Sequence, residues 1–327
     1  MNRRAAIDLD LTAKALSSST LNHGLGILGD RWTVQVMMGT FLGLRRFEQW
    51  RDQLAIPRHT LSQRLRALVR IDLLRPRPYQ EKPVRHAYHA TAKSMAMFPQ
   101  VLMMWAWEQR WGTHQPGLPD ALRHRACGHR FMPTLTCEAC RTNADITAMA
   151  VRLEPVAALL TKNPSREGAP RMVRHERIDH RADRWTLLIV AAVVLGCHHF
   201  DELTAVLGIG STTLTRRLAS MTAAGLLRAR PDRFDGRRRV YTLTPSSRDL
   251  LGYIVCLADW AGRTHLRQPS SIIALHQCGH RFRACVVCSH CREPLHAWAV
   301  QPEYGRGPTL APDARAGLMP QSLEVTG

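Results

Sequence analysis

The chain has 327 residues and a formal net charge of +19, carried by arginine, since only four of its 45 basic residues are lysine. Such a surface attracts polyanions, and the length exceeds one ordinary hydrophobic core. The longest apolar run, Thr186 to Cys197, is too short to span a bilayer, and Asp8 and Asp10 interrupt the amino terminus before any apolar segment; neither a membrane span nor an export signal is expected, and the chain reads as cytoplasmic.

Leu25, Leu28, Trp32 and Val36 recur at three- and four-residue spacing, which predicts one helix with a buried face. A short helix is predicted from Phe47 to Leu54. Ile56-Pro57-Arg58-His59-Thr60 then opens a third, with Leu61, Leu65 and Leu68 inward; proline is tolerated in a first turn because its missing N–H had no partner there. The outward face of this helix offers Arg58, His59, Thr60, Gln63 and Arg64. Asp72-Leu73-Leu74, a basic proline-containing stretch and Arg85-His86-Ala87-Tyr88 predict strand, turn and strand, bearing Arg77, Lys82 and Arg85. Thr91 is placed to cap a last helix whose stripe is Met97, Val101, Met104 and Trp107. Cysteines and histidines follow at Cys127, His129, Cys137 and Cys140, and the stretch 151–177, with its Asn-Pro-Ser and Gly-Ala-Pro steps, reads as a linker.

The chain then begins again. Shifted by 153, Asp30-Arg31-Trp32-Thr33 becomes Asp183-Arg184-Trp185-Thr186, Phe47 falls on Phe200, Thr60-Leu61 on Thr213-Leu214, Tyr88 on Tyr241 and Trp107 on Trp260; past that point a shift of 151 brings the cysteines onto Cys278, His280, Cys288 and Cys291. The third helix of this copy offers Ser211, Thr212, Thr213, Thr215 and Arg216, and its hairpin turns at Asp235-Gly236 among Arg233, Arg237, Arg238 and Arg239. Its terminal stripe is Leu250, Ile254, Leu257 and Trp260. The expected organisation is therefore 15–115 and 174–267 as two helical modules, 122–152 and 273–303 as Cys/His units, 153–173 as linker and 304–327 as a disordered tail.

Three helices followed by a basic two-stranded hairpin form a winged helix-turn-helix, in which the third helix can enter a major groove while the wing reaches the flanking backbone. Neither third-helix face carries an acid, and Arg, Gln, Ser and Thr are the side chains that bond base edges and phosphates. Double-stranded DNA is the expected partner, with the transcription machinery as a further one that this reading allows. Two modules on one polypeptide predict a monomer with internal pseudo-two-fold symmetry, its third helices roughly one DNA turn apart on adjacent half-sites. A protein–protein adaptor using degenerate modules and ribbons is the alternative, and the proline-rich first wing is its best support. No carboxylate cluster or nucleophile–base arrangement suggests an enzyme.

The run Leu28-Gly29-Asp30-Arg31-Trp32-Thr33, with Arg46-Phe47-Glu48, Thr60-Leu61-Ser62-Gln63-Arg64-Leu65 and Tyr88 before Thr91, resembles the HxlR-type winged-helix transcriptional regulators, and the second copy repeats this skeleton. The resemblance implies a regulator that binds inverted DNA repeats, here as a fused pseudo-dimer joined through terminal helices. Several relatives carry a sensing cysteine thirteen residues before the tryptophan; Ser19 and Met172 stand there, so thiol sensing at that site is not expected.

The fold class expected is mainly α with small β-hairpins, two tandem winged helices each followed by a zinc-ribbon-like unit. Cys127, His129, Cys137 and Cys140, and again Cys278, His280, Cys288 and Cys291, supply three thiolates and an imidazole each, a closed shell for structural Zn²⁺. Cys-x-His is tight for one knuckle, so His124 or His276 are alternatives to His129 or His280. Cys197, Cys256 and Cys285 have no counterpart and read as ordinary buried thiols.

Overall fold

The computed structural model describes residues 7–112, 118–154 and 183–304. In chain order the elements are α1 (Leu9–Ser17), α2 (Thr20–Leu28), α3 (Arg31–Phe41), α4 (Phe47–Leu54), α5 (Arg58–Arg70), β1 (Leu74–Glu81), β2 (Val84–Ala90), α6 (Ala92–Met95), α7 (Phe98–Trp111), β3 (Ala121–His124), β4 (Arg130–Phe131), β5 (Pro133–Cys137) and β6 (Ala150–Leu153). The second copy continues with α8 (Arg184–Val194), α9 (Phe200–Leu207), α10 (Ser211–Ala223), β7 (Leu227–Pro231), β8 (Arg239–Leu243), α11 (Pro245–Trp260), β9 (Ile272–Leu275), β10 (Ala284–Cys288) and β11 (Val300–Glu303). No described helix is long and apolar enough to cross a membrane.

Two compact units arise, but not from consecutive halves. The first comprises Met1–Arg31 with Thr136–Ala284, the second Trp32–Leu135 with Cys285–Gly327. Each contains one winged helix of consecutive residues, α3 to α7 in the second unit and α8 to α11 in the first, and completes itself with a segment from the other copy.

In the second unit Leu61, Leu65 and Leu68 of α5 are buried, a face whose burial contributes about 1.5–3 kcal/mol per leucine. Trp50 is fully buried; its indole N–H donates to the Val36 carbonyl at 3.2 Å and its ring meets Tyr88 edge-on. The start of α4 is fixed by Gln49, whose Oε1 accepts from the backbone N–H groups of Arg45 and Arg46 at 2.9 and 2.8 Å. β1 and β2 form the antiparallel wing, tied back by the Tyr88 N–H donating to Arg45 O. β11 joins β3 and β4 in a three-stranded sheet.

In the first unit α1 packs on α9, and α2 packs on α11 and α8. Arg184 donates to Asn22 Oδ1 at 2.6 Å and the Ser271 hydroxyl to Ala15 O at 2.6 Å. Glu202 repeats the role of Gln49, accepting from the N–H groups of His198 and His199. Asp183 caps α8 by accepting from Thr186 N–H at 2.8 Å, and its other oxygen pairs at 2.9 Å with Arg217, which is 2% exposed. β7 pairs with β8, and β6 with β9.

Three expectations are altered. The single helix expected through Leu25 and Val36 is two, because Gly29 ends α2: a Cβ there would collide with Leu25 O. The apolar spacing continues across this break although its members serve different units. The terminal helix of the first copy is also split, into α6 and α7 with Pro99 in the first turn of α7, whereas Gly252 at the matching place lets α11 run unbroken. The supposed linker begins inside β6, since Val151 to Leu153 pair with β9; its remainder from 155, and the tail from 305, lie outside the described residues. The inter-helix bend uses the left-handed region in both copies, at Gly208 with φ 59° and at Ala55 with φ 48°, so only one copy places a glycine where the backbone asks for one.

Candidate nucleic-acid interface and metal clusters

On α5 the leucines face inward, so Arg58, His59 and Gln63 are exposed while Thr60 and Arg64 are half-buried. Gln63 and His59 bond to each other at 2.9 Å, and Arg58 lies over the Phe47 ring with Glu48 3.6 Å away. On α10 Ser211, Thr212, Thr215 and Arg216 are exposed and Thr213 half-buried, above the buried Leu214, Leu218 and Met221. Arg64 stands where the second copy has Arg217, the buried partner of Asp183. Arg217 ties α10 to the start of α8, and Arg64, at the matching place on α5, is half-buried.

The wings place Arg77, Lys82 and Arg85, and Arg233, Arg237 and Arg239, at the exposed surface. Arg238 is different: its guanidinium bonds both oxygens of Asp201, at 2.6 and 2.8 Å. It therefore fastens the wing to α9 instead of presenting a free cation. A second fastener lies beside it, where His199 bridges Glu202 at 3.1 Å and Asp232 at 2.9 Å. Asp232 also accepts from the N–H groups of Phe234 and Asp235, and these bonds, led by that from His199, hold its carboxyl down at about 2. Burial lowers the His199 pKa, but the bonds to Asp232 and Glu202 outweigh it and the net shift is upward. Sequence reading missed Phe234, which stands at this wing's tip 92% exposed.

The cysteines assemble across the copies. In the second unit His124, Cys127, Cys288 and Cys291 bring their ligand atoms within 4.8 Å of one another; in the first unit Cys137, Cys140, His276 and Cys278 do the same. Cys127 and Cys288 sulfurs are 3.9 Å apart, Cys137 and Cys278 sulfurs 4.0 Å. Imidazole Nδ1 lies 3.2 and 3.5 Å from Cys291 and Cys127 at His124, and 3.4 and 3.2 Å from Cys140 and Cys278 at His276. A tetrahedral Zn²⁺ with sulfur at about 2.3 Å and nitrogen at about 2.0 Å requires ligand atoms roughly 3.5–3.8 Å apart, so both donor sets fit.

The four-residue sets expected within each half are thus not the ones brought together. Each Cys-x-x-Cys turn, closed by Arg141 N–H on Cys137 O or Arg292 N–H on Cys288 O, faces the His/Cys turn of the other copy. His129 and His280 are absent from both four-ligand sets. The His129 Nδ1 sits 2.7 Å from Cys127 O and its ring stacks on His290, which with Cys127 forms a further three-member group. A backbone hydrogen bond at His129 is the main influence lowering Cys127 to about 6, and the Thr142 hydroxyl that lowering Cys140 to about 6, both favouring the thiolate a metal requires. Cys197 and Cys256 are buried and Cys285 half-buried; burial pushes Cys197 up to about 11.

The HxlR-like helix-turn-helix family model matches residues 27–116 and again 182–269. Uncharacterized HTH-type transcriptional regulators of Mycobacterium bovis and Mycobacterium tuberculosis are each 37% identical over 136 residues, 42% of this chain and 85% of theirs. A solved candidate transcription factor of Pseudomonas aeruginosa is 30% identical over 37% of this chain and 82% of its own, with a TM-score of 0.28.

Proposed function

Because this chain belongs to the HxlR-like helix-turn-helix family through two tandem matches, we propose that it is a cytoplasmic transcriptional regulator whose two winged helices take adjacent half-sites of one DNA duplex. The observation that carries this reading is the pair of exposed third-helix faces, free of acids and each followed by a wing with exposed arginines. Arg58, His59, Thr60 and Gln63 on α5, and Ser211, Thr212, Thr213, Thr215 and Arg216 on α10, would meet base edges and nearby phosphates. Arg77, Lys82 and Arg85, with Arg233, Arg237 and Arg239, would meet the backbone. Phe234 is placed to enter the minor groove as an apolar wedge. Both modules share one polypeptide, so the pseudo-dimer needs no second copy.

In the same reading each Cys/His cluster holds a structural Zn²⁺: four protein ligands leave no coordination position for water, and the metal would supply folding energy and no chemistry. Elemental analysis should return two zinc per chain. Selection of bound genomic fragments followed by anisotropy titration tests the DNA reading. Affinity should fall with salt by roughly 0.9 log-log units per phosphate contact, and Arg216→Ala should cost about 1–3 kcal/mol on the selected site. Failure to retain any duplex at low salt refutes it.

A further inference from the structure

The first unit holds a cavity of about 610 Å³ against α2, α8, α11, β6 and β9. Its counterpart in the second unit, reached by shifting the helices back by 153, measures only about 50 Å³. Four repeat positions account for the difference. Met38, Phe41, Phe98 and Trp105 fill the small site; Ala191, Val194, Leu251 and Ala258 line the large one. Each of these four changes runs from large to small, against a single opposite step, from Val101 to Ile254, among the helix positions lining both sites. Trp105 also closes its site with an N–H donated to Pro119 O at 2.8 Å, which an alanine cannot do.

The volume of the large cavity lies within the roughly 300–1,000 Å³ of small-molecule sites. The walls also differ in charge. Asp259 replaces Ala106 and pairs with Arg263 at 3.3 Å, and Arg263 and Arg283 share Glu138. Arg267 and Arg281, at the same cavity, form no ion pair among the described residues. The lining thus combines an apolar body site with an excess of cations.

We propose that this cavity binds an amphipathic organic acid, its apolar body lying among Val194, Leu251 and Ala258 and its carboxylate toward Arg267 and Arg281. The second unit, with its site filled, does not bind the same ligand. The proposal concerns binding alone and does not depend on DNA recognition.

Calorimetric titration of the intact chain with decanoate and with decyltrimethylammonium, below micelle concentration, tests it. One decanoate per chain is expected, at least tenfold tighter than the cation with the same tail. Ala258→Trp, which restores the residue of the filled site, should abolish binding without altering the circular dichroism spectrum or melting cooperativity. Should that variant not fold, Val194→Phe repeats the filling test, and Arg267→Glu at the exposed end should weaken decanoate binding at least fivefold. No decanoate binding at millimolar concentration, equal binding of the cation, or full binding by a folded filled variant would overturn the assignment. None of these results would bear on the DNA reading.

Discussion

Serine in place of Cys288 removes one sulfur from the cluster of His124, Cys127 and Cys291, and the chain path dictates an unusual cost. Cys127 and Cys288 are 161 residues apart and Cys137 and Cys278 141 apart, so with the proposed metal bound the two clusters would be nested clips. With either clip intact, the other closes an effective loop of about 20 residues, the difference between 161 and 141, which chain entropy values at about 3 kcal/mol. Once one clip is open, the survivor alone closes the full loop, worth about 5 kcal/mol. Opening both therefore costs about 8 kcal/mol, roughly 2 more than twice the single loss. Knuckles formed within each half would close loops of about ten residues, give just under 3 kcal/mol each, and add without coupling. Denaturant titration of Cys288→Ser, Cys278→Ser and the double variant measures this excess. Pulsed alkylation with peptide mass spectrometry identifies the partners directly: Cys288→Ser should release Cys127 and Cys291 while Cys137, Cys140 and Cys278 stay protected. Additive losses, or release of Cys278 with Cys127 still protected, would refute the crossed pairing.

The second wing should be most firmly held in a window of pH. The raised His199 pKa stabilises the fold fully below its ordinary value of 6.5, and that contribution disappears as pH rises through the higher folded value; Asp232, lowered from 3.8 to about 2, contributes above 3.8 and loses it as pH falls through 2. Amide exchange at Phe234 and Asp235 should therefore slow between about pH 4 and 6.5 after correction for intrinsic rates, and a profile unchanged in His199→Gln would refute the linkage. Ala55→Gly should raise stability by about 0.5–1 kcal/mol, because relief of left-handed strain exceeds the added chain entropy; a lower denaturation midpoint would contradict this. Phe234→Ala should leave the melt unchanged, since the ring is solvent-exposed, yet weaken and unbend the DNA complex, as circular-permutation gel shift would report.

Because apolar faces are short and caps local, helical spacing predicts α4 at Phe47–Leu54, where the structure has it, and the leucines it turns inward on α5, Leu61, Leu65 and Leu68, are buried. The break at Gly29 was harder to foresee, since Leu28 and Val36 keep helical spacing while facing different cores. A duplicated sequence also carries information of two opposite kinds. Residues identical in both copies mark what the scaffold needs: Arg64 and Arg217 match, and the latter is sealed on Asp183. Residues that differ mark where the copies diverged in use, and the four replacements from Met38, Phe41, Phe98 and Trp105 to smaller side chains were readable in the alignment, but only packing reveals that they share one space. The clustered cysteines and histidines fall outside both cases. When two copies carry the same Cys-x-x-Cys, pairing within a half and pairing between halves are chemically equivalent, and no spacing rule separates them. The path of the backbone decides, and it brings His124 to Cys291 and His276 to Cys140 across more than a hundred residues.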